Sequence, residues 1–427
     1  MFFKKKNRRI VILGIDGVPY SFLKSGTDEG KFKNIKMITT ENGGLKKYNS
    51  VYPTVSSVAW SSYMTGKNPG EHSIFGFVDR STQPFVLKIP LANDRTEKTL
   101  WKQASEKGKK VLVMNVPVTY PPEEVNGILI SGFLTPGIEK VVYPSSYVGY
   151  LKQKGYIIDV DPRIGHTNRR RFMDELHRAL DIRMEVFFDL LGKDDYFLAQ
   201  CHIMETDRIN HFFWGDYEDD GEFKGDFEKF YSKLDEWIGK TYSLLNNEDV
   251  FIVLSDHGFC RVKYNVQINH FLEEEGYLLW QTDDPDNITA LSKDSIAYSL
   301  IPGRVFINLE GREEKGSVPV SKYGMVRQEL KEKLLGLKSP KGEQIIERAF
   351  FREEIYSGAY IGNAADIIIH PKWGFDLKGN VNTGELCQKP GTIDGMHTYD
   401  DAVIFGRGIK LQEVNSIQDP LRILLGK

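Results

Sequence analysis

Residues 8–17, RRIVILGIDG, and residues 251–259, FIVLSDHGF, share one layout: a short aliphatic run that stops abruptly on an acid followed within two positions by glycine. Runs that are apolar at consecutive rather than alternate positions are what strands covered on both faces require. Both segments therefore read as inner strands of a mostly parallel sheet. In open α/β sheets ligands bind beyond the carboxyl ends of the strands, which puts Asp16 and the Asp256–His257 pair where chemistry occurs. Taken singly, Asp16 before Gly17 is also ordinary turn chemistry, and Asp256–His257 could be a turn with a capping Asp and an incidental His.

Outward from these two, further strand candidates are Lys110 to Asn115, Tyr196 to Met204, Asp366 to Ile369 and Ala402 to Phe405. Between them lie stretches of helical period: Phe172, Leu176, Leu180, Phe187 and Leu191 in one, and Phe227, Tyr231, Leu234, Ile238 and Leu245 in another. Strands alternating with such helices predict an α/β architecture with helices on both faces of the sheet. From Tyr264 to Gly342 the texture changes to turn-rich and charged segments, TDDPDN and GREEKGSV among them. This predicts a core of residues 1–263 and 343–427 interrupted by a small subdomain at 264–342.

The 427 residues exceed what one hydrophobic core usually supports, consistent with that division. With 41% hydrophobic and 27% charged residues the chain has the composition of a soluble globular protein. A net charge of −3 supplies no basic field, so no nucleic-acid partner is implied. Cys201, Cys260 and Cys387 are odd in number and far apart, which fits a reducing compartment, and a cytoplasmic location is expected. The apolar run after the basic start FFKKK is too short for a secretory signal, and no transmembrane segment is read. That start is read as a solvated terminus rather than a membrane-surface contact. Oligomeric state is left open.

Two more segments carry metal-ligand residue types. In QCHIMETDRINHFFW, residues 200–214, Asp207 and His211 stand four apart; on a helix they share a face and can reach one ion. His202, inside the preceding strand, reads as a core histidine bonded to backbone. In GMHTYDD, residues 395–401, His397 falls in a glycine-containing loop. Three acids and three histidines at strand ends form a ligand set for two divalent ions, Zn²⁺ foremost with Mn²⁺ or Mg²⁺ as alternatives. Without cations the three carboxylates would repel one another. A nucleophile candidate lies in YPTVSSVAWSSYMTG, residues 52–66. Ser56 and Ser57 there are good helix N-caps, and the same helix start favours a bound phosphoryl group.

These five segments, in this order, resemble those of the alkaline phosphatase superfamily, above all its type I phosphodiesterase and nucleotide pyrophosphatase branch. The resemblance runs from about Arg9 to Ile409 and implies a three-layer α/β/α sandwich and a metal-dependent phosphoric ester hydrolase acting on a small phosphate ester. Register on the Met-Thr-Gly at residues 64–66 sets Ser56 as the attacking group, with Thr54 and Ser57 as neighbours. One ion would be held by Asp16, Ser56, Asp256 and His257, the other by Asp207, His211 and His397. The implied activity is a phosphodiesterase working through a phosphoserine. A phosphomonoesterase or phosphotransferase of the same superfamily, or a non-catalytic metal-binding protein on the same fold, are the alternatives. One departure is visible: Phe77 stands where the family pattern has an Asn that helps bind the phosphoryl oxygens, so nucleotide preference does not carry over. Arg304 and Arg312 are candidates for an anionic leaving group, with a plain turn position as the commoner case. Sulfatases are set aside, since none of the three cysteines lies in a Cys-x-Pro-x-Arg setting. Phosphoglycerate mutases find no specific support in the insert.

Overall fold

The protein is described by a computed structural model covering residues 8–426, so the reading of the basic start lies outside the described residues. Eight strands form the central sheet, in the order 46–48, 402–407, 250–254, 10–15, 198–203, 111–114, 127–130 and 142–143. The middle five are mutually parallel, and the strands on either side of them run antiparallel. The fold is thus α/β with a large, mostly parallel sheet.

Alternation along one strand explains the three layers. In Ile10–Ile15 every residue is buried, but Val11, Leu13 and Ile15 enter one core while Ile10 and Ile12 enter the other. Burying such a side chain is worth about 1.5–3 kcal/mol, so the strand is committed on both faces. On the first face pack the long helices Arg169–Leu191 and Lys224–Ser243, along the stripes their sequences predict. On the second packs the helix Ser56–Thr65, whose ten residues are all buried.

At Gly14 the Trp60 ring of that helix packs tightly against the sheet. A Cβ there would lie 2.7 Å from Cη2 of Trp60 and 3.1 Å from Nδ1 of His202. Gly14→Ala is expected to lower stability by about 1–3 kcal/mol through overpacking. Urea unfolding of the two proteins would show it, and an unchanged midpoint would contradict this account.

A second hydrophobic core gathers around a four-stranded sheet ordered 297–300, 304–307, 367–371 and 346–351. Here one expectation is corrected: the strand foreseen at Asp366 to Ile369 does not join the central sheet. It pairs antiparallel with Arg304 and Val305 instead. This smaller sheet therefore continues past Gly342, where the change of sequence texture ends. Arg80 and Glu313, buried and paired at 2.8 Å, tie it to the hairpin of residues 79–88. No helix among the described residues is long and apolar enough to cross a membrane.

Candidate metal centre and nucleophile

The register of the parallel strands brings the acids together. Ile15 pairs with Ile203 and Gly14 with Leu254, so the residues that follow all emerge at one edge of the sheet. Asp16 directly follows its strand, and Asp256 lies two residues past the strand end at Leu254. Asp207 and His211 lie on the helix Glu205–Glu218, one turn apart. His397 departs from expectation, since it lies in a strand, Gly395–Thr398, rather than a loop. That strand pairs antiparallel with Gly258–Arg261, setting His397 opposite Phe259. The ribbon thereby lays the His397 ring against His257, with centroids 3.6 Å apart.

Gly17 is required at its place. Its φ is +65°, and a Cβ would lie 2.6 Å from the Phe259 ring. Its amide donates to Asp256 Oδ1 at 3.1 Å.

Three imidazoles share one construction. Nδ1 of His257 lies 3.0 Å from the carbonyl of Gly258, Nδ1 of His211 lies 2.8 Å from that of Gly395, and Nδ1 of His397 lies 3.2 Å from that of Thr54. A carbonyl only accepts, so each Nδ1 carries a proton and Nε2 is the ring atom turned inward. Those Nε2 atoms converge on carboxylates. His397 Nε2 is 3.2 Å and His211 Nε2 3.5 Å from Asp207 Oδ1, while His257 Nε2 is 3.3 Å from Asp256 Oδ2 and 3.6 Å from Asp16 Oδ1. His397 Nε2 and His211 Nε2 face each other at 3.0 Å, a spacing that a proton on one ring or a cation bound to both accommodates. Buried Asp207 Oδ1 and Asp256 Oδ2 have no hydrogen-bond donor. Histidine fixed through Nδ1 with Nε2 aimed at carboxylates is the usual preparation of a metal ligand. The donor groups fall into two sets, Asp16 with Asp256 and His257, and Asp207 with His257 and His397; His257 belongs to both. The residues present thus fit divalent ions.

The electrostatics agree. Burial pushes the Asp256 carboxyl well above the ordinary value, and the neighbouring charges of Asp16 and Asp207 push it further. Burial also raises Asp16 and Asp207, but imidazoles outweigh it and hold both below the usual range, His202 on the first and His211 with His397 on the second. Burial lowers His257 to about 3 and His211 to about 4, so both are neutral near neutral pH. His397 is raised, because Asp207 outweighs the effect of burial. In the ion-free protein burial and the acidic neighbours favour the protonated form of Asp256, and Asp207 favours that of His397; a proton held by either is released when the group becomes a ligand. Metal affinity is expected to rise with pH and to fall as pH drops. Calorimetric Zn²⁺ titration at pH 6 in buffers of different ionisation enthalpy is expected to show release of about one to two protons per chain. Release of none would contradict these assignments.

Ser56 opens its helix, behind Val55, which offers no side-chain cap. Ser56 Oγ donates to Asp16 Oδ1 at 3.1 Å and lies 3.2 Å from His257 Nε2. Its neighbours face elsewhere: Thr54 Oγ1 donates to the Val51 carbonyl at 3.1 Å, and Ser57 Oγ is buried without a partner. Of the three hydroxyls, Ser56 is the one that touches the acid and imidazole cluster.

Several supporting residues have no signal in the sequence. Trp60 Nε1 donates to Asp16 Oδ2 at 2.8 Å. His202, expected to bond to backbone, instead approaches the same oxygen at 3.1 Å, too obliquely for a strong hydrogen bond. Arg208 grips Asp159 with Nε and one terminal nitrogen, at 3.0 and 2.6 Å, and turns the other to Asp207 at 3.4 Å. Neither arginine suggested for the leaving group reaches the centre. Arg304 is buried and donates to the carbonyls of Ile301 and Val78, and Arg312 clasps Asp366 with two bonds of 2.7 Å.

Compared with known proteins, residues 10–400 match the model of the family described as Type I phosphodiesterase / nucleotide pyrophosphatase. None of the curated proteins compared matches the chain. Among solved structures it is similar to phosphonoacetate hydrolase from Sinorhizobium meliloti 1021 in complex with phosphonoacetate, with a TM-score of 0.67 at 13% identity, covering 99% of this chain and 96% of that one. It is also similar to murine ectonucleotide pyrophosphatase/phosphodiesterase 5 in complex with AMP, with a TM-score of 0.57 at 14% identity, covering 98% and 94%. At such identities these likenesses speak for the fold, an alkaline-phosphatase-like one.

Proposed function

The chain belongs to the type I phosphodiesterase / nucleotide pyrophosphatase family, and on that premise we propose that it hydrolyses phosphoric diesters in two displacements through a phosphoserine at Ser56. It is a hydrolytic enzyme of phosphoric esters, and its family depends on divalent metal ions. The observation that carries the finer reading is the contact of Ser56 Oγ with both Asp16 and His257 at the start of a buried helix.

Asp16, Ser56, Asp256 and His257 would hold one ion and Asp207, His211 and His397 the other, Zn²⁺ being favoured by the mixed imidazole and carboxylate donors. Bound there, the ions would polarise the phosphoryl group and stabilise the charge on the entering and leaving oxygens. The rest falls to the chain. Asp16 Oδ1 accepts the hydrogen bond of the Ser56 hydroxyl and orients Oγ toward phosphorus. The helix start directs its free amides and the positive end of its dipole at the phosphoryl oxygens. Ser56 Oγ bonds to phosphorus as the first alcohol departs, and water then displaces Ser56, restoring the hydroxyl and releasing the phosphomonoester. Trp60 keeps Asp16 in place throughout, since its indole occupies the second carboxylate oxygen.

The three cysteines are unpaired in the structure, and a reducing cytoplasm is the compartment we favour. The test of function is a screen of bis(4-nitrophenyl) phosphate and 4-nitrophenyl phosphate with Zn²⁺, Mn²⁺ and Mg²⁺. We expect about two ions per chain, diester hydrolysis above monoester, loss of activity under chelation and recovery on adding metal back. Activity indifferent to chelator would overturn the proposal.

A further inference from the structure

A cleft opens directly from the metal centre. His211, His397 and Thr54 form its inner end, and its outer walls come from Phe77, from Ile301 and Pro302 of the smaller unit, and from Leu377. Phe77 is braced edge-on by Phe133, with ring centroids 5.4 Å apart. Ile301 stands 36% exposed at the rim.

The charges of this cleft decide what it can take. Among the described residues that line it, Lys378 is the one lysine or arginine, and its ammonium is engaged by Asp376. His370 is pushed down to about 4, chiefly by burial, and is uncharged near neutral pH. Arg304 and Arg312 are spent on carbonyls and on Asp366, as described above. A second phosphate or a carboxylate lodged here would be desolvated without a charged partner, which is costly. An apolar group would instead cover apolar wall, and each methylene fully removed from water is worth about fourfold in affinity.

We propose that the cleft receives an uncharged, apolar alkyl or aryl arm of the phosphate ester, so that the substrates are esters of apolar alcohols rather than of nucleoside polyphosphates or carboxylated groups. This rests on the phosphoryl-binding reading given under Proposed function. The position of the cleft supports it: a group attached to a phosphorus held between His211, His397 and Ser56 has this as its adjoining space.

Single-armed probes test it without ambiguity over which ester group lies where. The Zn²⁺-loaded protein is titrated calorimetrically with inorganic phosphate, methylphosphonate, hexylphosphonate and phosphonoacetate. We expect the Kd to fall about tenfold or more from methyl- to hexylphosphonate, less than full burial of the chain would give because the cleft is open. Phosphonoacetate should bind no tighter than methylphosphonate. In Ile301→Asp, each Kd referred to inorganic phosphate in the same variant, the gain from methyl to hexyl should shrink several-fold; Ile301 is exposed, so the fold does not depend on it. Equal affinity along the alkyl series, or phosphonoacetate binding more tightly than hexylphosphonate, would overturn the inference while leaving the phosphoryl site standing. If inorganic phosphate itself fails to bind, the phosphoryl-binding reading falls, and this inference with it.

Discussion

Ser56→Ala is expected to abolish the covalent intermediate and to lower turnover by several orders of magnitude, roughly 10³-fold or more, as removal of a nucleophile commonly does. The argument is geometric. Successive residues at a helix start point about 100° apart, so one hydroxyl at most can face the centre. The structure turns Ser56 Oγ to Asp16 and His257 and leaves Thr54 bonded to backbone. Ser57→Ala and Thr54→Ala should therefore retain most of the intermediate. Acid quench during turnover followed by peptide mapping decides the matter: phosphate on Ser57 or Thr54 would displace the assignment. A variant lacking Ser56 that turns over normally, with no phosphoenzyme in the parent, would favour direct attack by water.

Asp207→Asn should have the second largest effect, the loss of one of the two ions and of turnover by about 10²-fold or more. Asp207 Oδ1 is the point on which His211 and His397 both converge, so its charge is what allows both rings to share a cation. Asn keeps the shape and removes the charge. In the ion-free protein that change also removes a buried negative charge that crowds Asp256, so the fold should survive with an unaltered circular dichroism spectrum. What should vanish is the second equivalent of metal and most of the thermal stabilisation that metal confers. Two bound ions and near-normal rate in this variant would remove Asp207 from the ligand set. His202→Ala, by contrast, should disturb both packing and chemistry, because that ring touches Asp16 as well as Trp60.

Much of the sheet was legible because inner parallel strands are buried at consecutive positions and therefore mostly apolar. Val250–Leu254, Ile10–Ile15 and Leu198–Ile203 all lie within a residue or two of the apolar runs that mark them. The edge strands were not legible. Lys46–Tyr48 and Val142–Tyr143 are too short to carry a pattern, and the first is mostly polar because only Tyr48 is buried. Ile367–Pro371 has the texture of an inner strand yet belongs to the smaller sheet, since an apolar run states that a strand is covered but not by which layer.

The sequence by itself determined the α/β class and the acids and histidines at strand ends, and family likeness pointed to Ser56 as the proposed nucleophile. All of these are local properties of a run of residues or of a motif. Only the tertiary structure decided how they meet: that strand register sets Asp16, Asp207 and Asp256 at one edge, and that a two-stranded ribbon stacks His397 on His257. It also decided that Trp60 and His202 touch Asp16 and Arg208 touches Asp207, and that Arg304 and Arg312 turn away from the cluster. The physical reason is that a contact between residues hundreds of positions apart depends on register and packing of separate elements. A buried Trp or Arg has the same local signature whether it fills a core or holds a ligand in place.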